Sequence, residues 1–365
     1  MDGCLMRLIS FGSVESEHGG KTTGGVARTH SLLTKTWVSH PELGIEVIGV
    51  VATNSDLSED PVTGVQYFSK NEGESQAKAL SRIIDENNPD CILLHHIATG
   101  WGWSLQNVSN LPKVIGFVHS WRITWEEYDP NFPKKLDFAK MAINHIDSLL
   151  YHTKHCANEM KDFEIFPSCP IFIIPPPMER GDFDEDVLLS QREKSHIVYL
   201  GNLLEHKNAM GLVKAIKNLD DMKLTIIGSG KLESELHDYI IENGLENRVT
   251  LTGYVTDEDV SEIFLKADIF CAPSRYEQFS LVYLEALAHG LPVIGYGPTI
   301  DAIRTEMGIE CGFSLKDYSP KSIQEAIIEV RNQEWDRILL HNKVTSAFSP
   351  TLIAKRFADV IINNE

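Results

Sequence analysis

Apolar residues along this chain come in short continuous runs, each followed by a stretch whose apolar positions fall at helical spacing. In the first half the runs are Leu5–Phe11, Ile45–Val51, Cys91–His95, Val114–His119, Ser148–His152 and Ile171–Pro175. Segments near 25–36, 72–87, 132–145 and 153–162 lie between them with the periodicity of amphipathic helices. The alternation resumes at Ile197–Leu200, Leu224–Ile227, Val249–Leu251, Ile269–Ala272 and Pro292–Gly295. A run that is apolar at nearly every position suits a strand buried on both faces. Such strands separated by helices predict parallel sheets with helices on either side. The expected fold class is α/β, with two doubly wound domains.

The boundary falls where the pattern breaks. Pro175-Pro-Pro-Met-Glu-Arg-Gly-Asp-Phe-Asp-Glu-Asp186 joins three prolines to an acidic, Gly-containing stretch and reads as a linker. The division expected is therefore 1–178, a linker over 179–194, and 195–348. Asp182-Phe-Asp184 sits in that linker with no strand leading into it, so it reads as a solvated acidic segment and not as a metal site. The last segment, from Ser349 to Ile362, is an amphipathic helix with Pro350 suited to its first turn.

Composition narrows the function classes. The chain has 365 residues, 42% of them hydrophobic and 23% charged, which are globular values. No apolar run reaches the ~20 residues of a membrane helix. The start of the chain lacks the layout of a signal peptide and reads directly as a first strand. The six cysteines form no regular framework, so reduced packed thiols and a cytoplasmic location are expected. With 33 Lys and Arg against 52 Asp and Glu, the net charge of −19 argues against a nucleic-acid partner. It also limits membrane association to a peripheral one, Lys134, Lys135 and Lys140 being a single small basic group.

Candidate chemistry concentrates in Ala272-Pro-Ser-Arg-Tyr-Glu-Gln-Phe-Ser-Leu-Val-Tyr-Leu-Glu-Ala-Leu-Ala-His-Gly-Leu-Pro-Val-Ile294. Glu277 follows an apolar run and Glu285 comes eight residues later. On a continuous helix the two carboxylates would lie roughly 12 Å apart along the axis and on the same side. That suits a ligand with hydroxyls at both ends and a diphosphate between. The backbone N–H groups of Phe279, Ser280 and Leu281 are expected to open the helix and to favour a phosphate.

This string resembles the E-x7-E signature of the family-four retaining glycosyltransferases. The resemblance implies the GT-B fold, in which two Rossmann-like domains face each other across a cleft and a last helix, here 349–365, returns to the N-terminal domain. It implies that Glu277 contacts the donor sugar and Glu285 the ribose. Gly24 and Gly25, in the Gly-rich loop after the first strand, match the family's Gly-Gly-Val. Gly201 and Lys207 match its diphosphate-binding loop, but Asn202 stands where an Arg is usual. Asn can donate hydrogen bonds but brings no charge, and Arg275, Lys231 and Lys21 are candidates to replace the missing cation. His119 matches the family's histidine beside the donor sugar. Four of the six tryptophans, Trp101, Trp103, Trp121 and Trp125, follow two neighbouring strand ends and are expected to offer indole faces to an acceptor sugar.

Two apparent motifs carry no such weight. Gly228-Ser-Gly-Lys-Leu-Glu-Ser234 lacks the spacing of a P-loop and the third glycine of a dinucleotide fingerprint, so a tight strand-to-helix turn is expected. His95-His96 and His152-x-x-His155 lack a third ligand in sequence, and no metal or other cofactor is expected. The expected reaction moves a sugar from a nucleotide diphosphate sugar, UDP- or GDP-linked, to a hydroxyl of a sugar-containing acceptor, with retained configuration. A catalytically weak glycosyltransferase-like binding subunit and a nucleotide-sugar epimerase on the same fold are the alternatives.

Overall fold

A computed structural model describes residues 5–12, 25–51, 58–119, 132–179, 181, 183, 185–189 and 195–364. The chain forms two compact units, Met1–Glu179 with Pro350–Glu365, and Arg180–Ser349. The first holds β1 (Met6–Phe11), β2 (Ile45–Val51), β3 (Tyr67–Phe68), β4 (Cys91–His95), β5 (Lys113–Val118), β6 (Ser148–Tyr151) and β7 (Ile171–Ile173). They make one sheet in the order β3-β2-β1-β4-β5-β6-β7, every neighbouring pair parallel. The second holds β8 (His196–Leu200), β9 (Lys223–Ile227), β10 (Val249–Gly253), β11 (Ile269–Ala272), β12 (Val293–Tyr296) and β13 (Gly312–Leu315). Their order is β10-β9-β8-β11-β12-β13, again all parallel.

Each sheet therefore reverses its winding once, between β1 and β4 and between β8 and β11. The C-terminal strand ends at such a reversal leave a crevice where doubly wound folds bind ligands.

The strands are apolar on both faces because both faces are covered. In the first unit Ile9, Phe11, Ile92, Leu94, Val114 and Val118 enter one core cluster. Their neighbours Leu8, Cys91, Leu93, Ile115 and Phe117 enter another, on the opposite face. This is the two-residue alternation of a pleated strand, filled on each side by a helix layer.

The last helix, Pro350–Asn363, belongs to the second of these clusters through Ile353, Phe357 and Ile361, four residues apart and so on one stripe. Trp37 donates from Nε1 to the carbonyl of Ala354 (3.1 Å), and Lys113 donates from Nζ to the carbonyl of Ile361 (2.7 Å). The Lys113 ammonium thus meets the negative end of the helix.

Several elements differ from the sequence pattern. β3 has two residues and β13 opens on Gly312 at φ 145, too short and too weakly apolar to stand out. The expected helix over 153–162 is one α turn, Lys154–Asn158, followed by a 3-10 stretch, Glu159–Phe163. Within the expected linker, Glu185–Leu188 forms a short helix. Among the described residues, no helix is long and apolar enough to cross a membrane.

Candidate functional site

Four loops of the second unit leave strand ends near its winding reversal: 201–208 after β8, 228–232 after β9, 253–256 after β10 and 273–280 after β11. The first and last are joined by three contacts. The backbone N–H of Arg275 donates to the carbonyl of His206 (2.7 Å). Asn208, held at φ 57, donates from Nδ2 to the carbonyls of Pro273 (3.2 Å) and Tyr318 (3.0 Å). Lys207 donates from Nζ to Oε1 of Glu277 at 2.6 Å, with 22% and 11% of the two side chains exposed.

The turn after β9 packs under the first loop. Gly201 and Leu203 donate their backbone N–H to the carbonyls of Ile227 (3.0 Å) and Ser229 (2.9 Å), and Leu232 donates back to the carbonyl of Leu203 (3.1 Å). A Cβ at Gly228 would run into the carbonyl oxygen of Gly201, and one at Gly230 would lie 2.7 Å from the nitrogen of Leu203. Both glycines are thus there for close backbone approach. Gly228-Ser-Gly230 is a tight turn that supports the loop carrying Lys207. Gly228 also donates its N–H to the carbonyl of Gly253 (2.9 Å), which brings the Gly253-Tyr-Val255 loop to the same edge.

The expected helical spacing between Glu277 and Glu285 does not hold. The helix is Leu281–Ala288, and Ser280 before it has extended backbone. Glu277 lies in the preceding loop, because the chain must turn back from β11 before a helix can start. Phe279 and Ser280 precede the helix, and Leu281 is its first residue. Ser280 makes no capping bond with its side chain, and Tyr283 donates its N–H to the Ser280 carbonyl (3.3 Å); the positive end of this helix favours an anion. Tyr283 fixes this helix to the sheet: its hydroxyl donates to the carbonyl of Ala272 (2.7 Å) and accepts from the N–H of Tyr296 (3.1 Å). A side chain at Gly295 would displace that hydroxyl.

Asn202 is exposed, and its carbonyl accepts from the hydroxyl of buried Tyr199 (3.2 Å). Burial, with the nearby Glu277 carboxylate, pushes the Tyr199 hydroxyl up from its ordinary value, so it stays protonated. Of the cations considered as substitutes for an Arg at 202, Arg275 is exposed on the loop carrying Glu277. Lys231 is exposed beyond Gly230, and Lys21 lies outside the described residues. A cavity of about 540 Å³ beside this loop pair is lined by Asn208, Lys214, Arg275, Asp317 and Ser319 among others. Glu277, Glu285 and Lys207 do not line it.

In the first unit, His119 follows β5 and is buried, with both ring nitrogens occupied. Nε2 lies 3.0 Å from Nδ1 of His95, and Nδ1 lies 3.2 Å from Nε2 of His152. Gly25 is the first residue of the helix Gly25–Ser39, while Gly24 lies outside the described residues. Trp101 and Trp103 sit on the short helix Gly100–Ser104 rather than on a loop. Two residues apart on a helix they point to nearly opposite sides. Trp101 packs edge-on against Phe11 (5.4 Å) at the core, and Trp103, 39% exposed, meets Phe138 (6.0 Å). They form no common surface, and Trp121 and Trp125 lie outside the described residues.

Residues 182–345, nearly all of the second unit, match the family described as Glycosyl transferases group 1. The second unit is thus similar to the group 1 glycosyltransferases. An uncharacterized glycosyltransferase of Methanocaldococcus jannaschii is 30% identical over 150 residues, 40% of this chain and 37% of that protein. The UDP-Gal:α-D-GlcNAc-diphosphoundecaprenol α-1,3-galactosyltransferase of Escherichia coli is 30% identical over 236 residues, 59% of this chain and 60% of that protein. The chain thus spans less than two thirds of either relative. A solved sucrose-phosphate synthase of Thermosynechococcus elongatus superposes with a TM-score of 0.74 at 18% identity, covering 97% of this chain and 98% of that one. That likeness shows the GT-B fold.

Within the second unit, sequence reasoning passed over Asn208, Tyr199 and Tyr283. Asn208 had a usable signal, since Asn is enriched at positive φ between a loop and a helix. Tyr199 and Tyr283 read only as core aromatics, and their hydroxyl partners depend on neighbouring strands. In the first unit, His95 and His152 were weighed only as metal ligands. Their nitrogens meet His119 in a line instead of converging on a point, and no group of three or more His, Cys, Asp or Glu among the described residues could hold a metal.

Proposed function

We propose that this protein is a retaining glycosyltransferase that moves a sugar from a nucleotide diphosphate sugar to a hydroxyl of a sugar-containing acceptor. The observation that carries the reading is the Lys207–Glu277 pair at the winding reversal of the second unit. Lys207 supplies a cation for the diphosphate, and Glu277 supplies an acceptor for sugar hydroxyls. Paired at 2.6 Å, each neutralises the other in a half-buried setting. The donor's diphosphate draws the ammonium away as it enters, and the freed carboxylate takes the sugar. Lys207 and the N-terminus of the helix Leu281–Ala288 then stabilise the charge that develops on the leaving diphosphate. Glu285, half-buried on that helix, holds the ribose. Gly201 and Asn202 bound the phosphate side, and Arg275 supplies the charge that Asn202 lacks.

This arrangement assigns no step to a metal. The donor phosphate takes the acceptor proton on the same face of the sugar, which gives retention. The name of the Escherichia coli relative carries UDP-galactose, so UDP-sugars are the first donors to test. In the first unit, Gly25 and His119 are donor-side residues, and Trp103 is the exposed indole for an acceptor sugar.

A thermal-shift screen of UDP- and GDP-sugars tests donor binding, because a ligand at 100 times its dissociation constant adds about 2.7 kcal/mol. Nucleotide release that requires an acceptor supports transfer. A new sugar nucleotide formed without acceptor indicates epimerisation, and binding with neither outcome indicates a non-catalytic subunit.

A further inference from the structure

The C-terminal ends of four adjacent parallel strands carry a line of polar groups to which the proposed transfer chemistry assigns no proton transfer. His95 is the last residue of β4, His119 follows β5, His152 follows β6 and Ile174 follows β7. The three histidines are at most 5% exposed. The contacts are His152 Nδ1 to the Ile174 carbonyl oxygen (3.4 Å), His152 Nε2 to His119 Nδ1 (3.2 Å) and His119 Nε2 to His95 Nδ1 (3.0 Å).

A carbonyl oxygen only accepts, so Nδ1 of His152 must carry a proton. A neutral imidazole has one donor nitrogen and one acceptor, which makes Nε2 of His152 an acceptor. His119 then donates from Nδ1, its Nε2 accepts, and His95 donates from Nδ1 in turn. The direction of every bond follows from the backbone at Ile174. The line ends at Nε2 of His95, a buried acceptor without a hydrogen-bond partner among the described residues.

We propose that His152, His119 and His95 form a directional row of neutral imidazoles, each with its proton on Nδ1, that locks the ring of His119 and bars it from acting as an acid or a base. His152 and His95 are positioning residues, and His119 presents a fixed ring wall. Phe117 packs against all three rings, at 4.1 Å from His119, 4.7 Å from His152 and 5.5 Å from His95.

The surroundings keep the row neutral. Among the described residues, the titratable groups that act on it are His30 from the helix Gly25–Ser39 and His96 after β4, with Lys135 from the helix Phe132–Ala142 acting on His96 in turn. None of these supplies a negative charge to an imidazolium. Burial first, then the neighbouring imidazoles, holds His119 and His95 well below the ordinary histidine range.

The test is nitrogen-15 NMR of the full chain labelled at histidine, which reports which ring nitrogen carries the proton, with each signal assigned by single substitutions. A protonated Nδ1 and bare Nε2 at all three residues, unchanged from about pH 5 to pH 8, is the expected result. His119 protonated on Nε2, or titrating in that range, overturns the proposal. His152→Gln keeps an acceptor for His119 and preserves its signals; His152→Leu removes the acceptor, and the fixed Nδ1–H signal of His119 is lost. Wild-type His119 signals in His152→Leu overturn the proposal, and if that variant fails to fold the wild-type and His152→Gln spectra decide.

A kinetic arm rests on the proposed transferase reading. The pH profile of kcat/KM contains no limb that His119→Gln abolishes. Such a limb overturns the row, whereas an absence of any transfer with an intact row in the spectra counts only against the transferase reading.

Discussion

The two units share one sheet order, extended by β7 in the first, yet their strand ends at the winding reversal are furnished in opposite ways. In the second unit the ends are charged and tied together: Lys207 to Glu277, Asn208 to Pro273, Arg275 to His206. In the first unit they carry a line of buried imidazoles that no carboxylate faces among the described residues. The topology places a crevice at the same point of each sheet. What the crevice handles depends on the residues one or two positions past the strand ends. A diphosphate calls for cations and a helix N-terminus, whereas a neutral sugar needs shape and a fixed wall.

The sharpest way to separate the two regions is acid. Burial pushes His152 down to about 3 and His96 down to about 4, while unfolded histidines titrate at about 6.5. Between the folded and unfolded values the unfolded chain binds more protons, so stability is intact above the unfolded value and falls as pH drops. Each such histidine costs about 1.4 kcal/mol per pH unit through that window. Denaturant titrations from pH 7 to pH 4, with tryptophan fluorescence and amide exchange, should show the first unit failing before the second. Equal loss in both units would break the contrast.

Next comes Lys207→Ala, expected to lower turnover more than 100-fold, about 3 kcal/mol, because Arg275 alone would then face the diphosphate. Its companion Asn202→Arg should tighten binding of the bare nucleotide diphosphate. Both are read by steady-state kinetics and nucleotide titration. Near wild-type turnover for Lys207→Ala would mean that another cation holds the diphosphate.

Asn208→Ala tests the tie between the loops without touching charge. It removes two hydrogen bonds, each worth about 1 kcal/mol, and places Ala at positive φ at about 1 kcal/mol more. Asn208→Gly relieves the second part and should recover that fraction of the stability measured by urea unfolding. Glu277→Ala should mainly lower turnover and Glu285→Ala mainly weaken nucleotide binding, since the ribose contact already exists in the ground state.

The smallest expected effect concerns the tryptophans. Trp103→Ala should change stability by under about 0.5 kcal/mol while raising the Michaelis constant for a sugar acceptor. Trp101→Ala, at the core, should instead cost about 3 kcal/mol. The reverse pattern would assign the acceptor surface to the wrong indole.

Much of this was legible in order along the chain. The strand runs Ile45–Val51, Cys91–His95 and Ile269–Ala272 could be read to the residue, because a strand covered on both faces must be apolar throughout. The E-x7-E string, Gly201 and Lys207 stood out as motifs because the residues are close in sequence. Where the helix begins between Glu277 and Glu285 did not, since nothing in that stretch states how far the chain must travel back from β11.

Sequence alone determined the alternation of strands and helices and the residue types delivered to each strand end, for local periodicity depends on a chain's own backbone geometry. Only the tertiary structure decided which strand ends became neighbours. Lys207 meets Glu277 because β8 and β11 are adjacent across a winding reversal. His95, His119, His152 and Ile174 fall in line because β4 to β7 are stacked in parallel register. Hydrogen bonds act over about 3 Å, and a one-dimensional chain holds no record of which distant residues folding will bring within that reach.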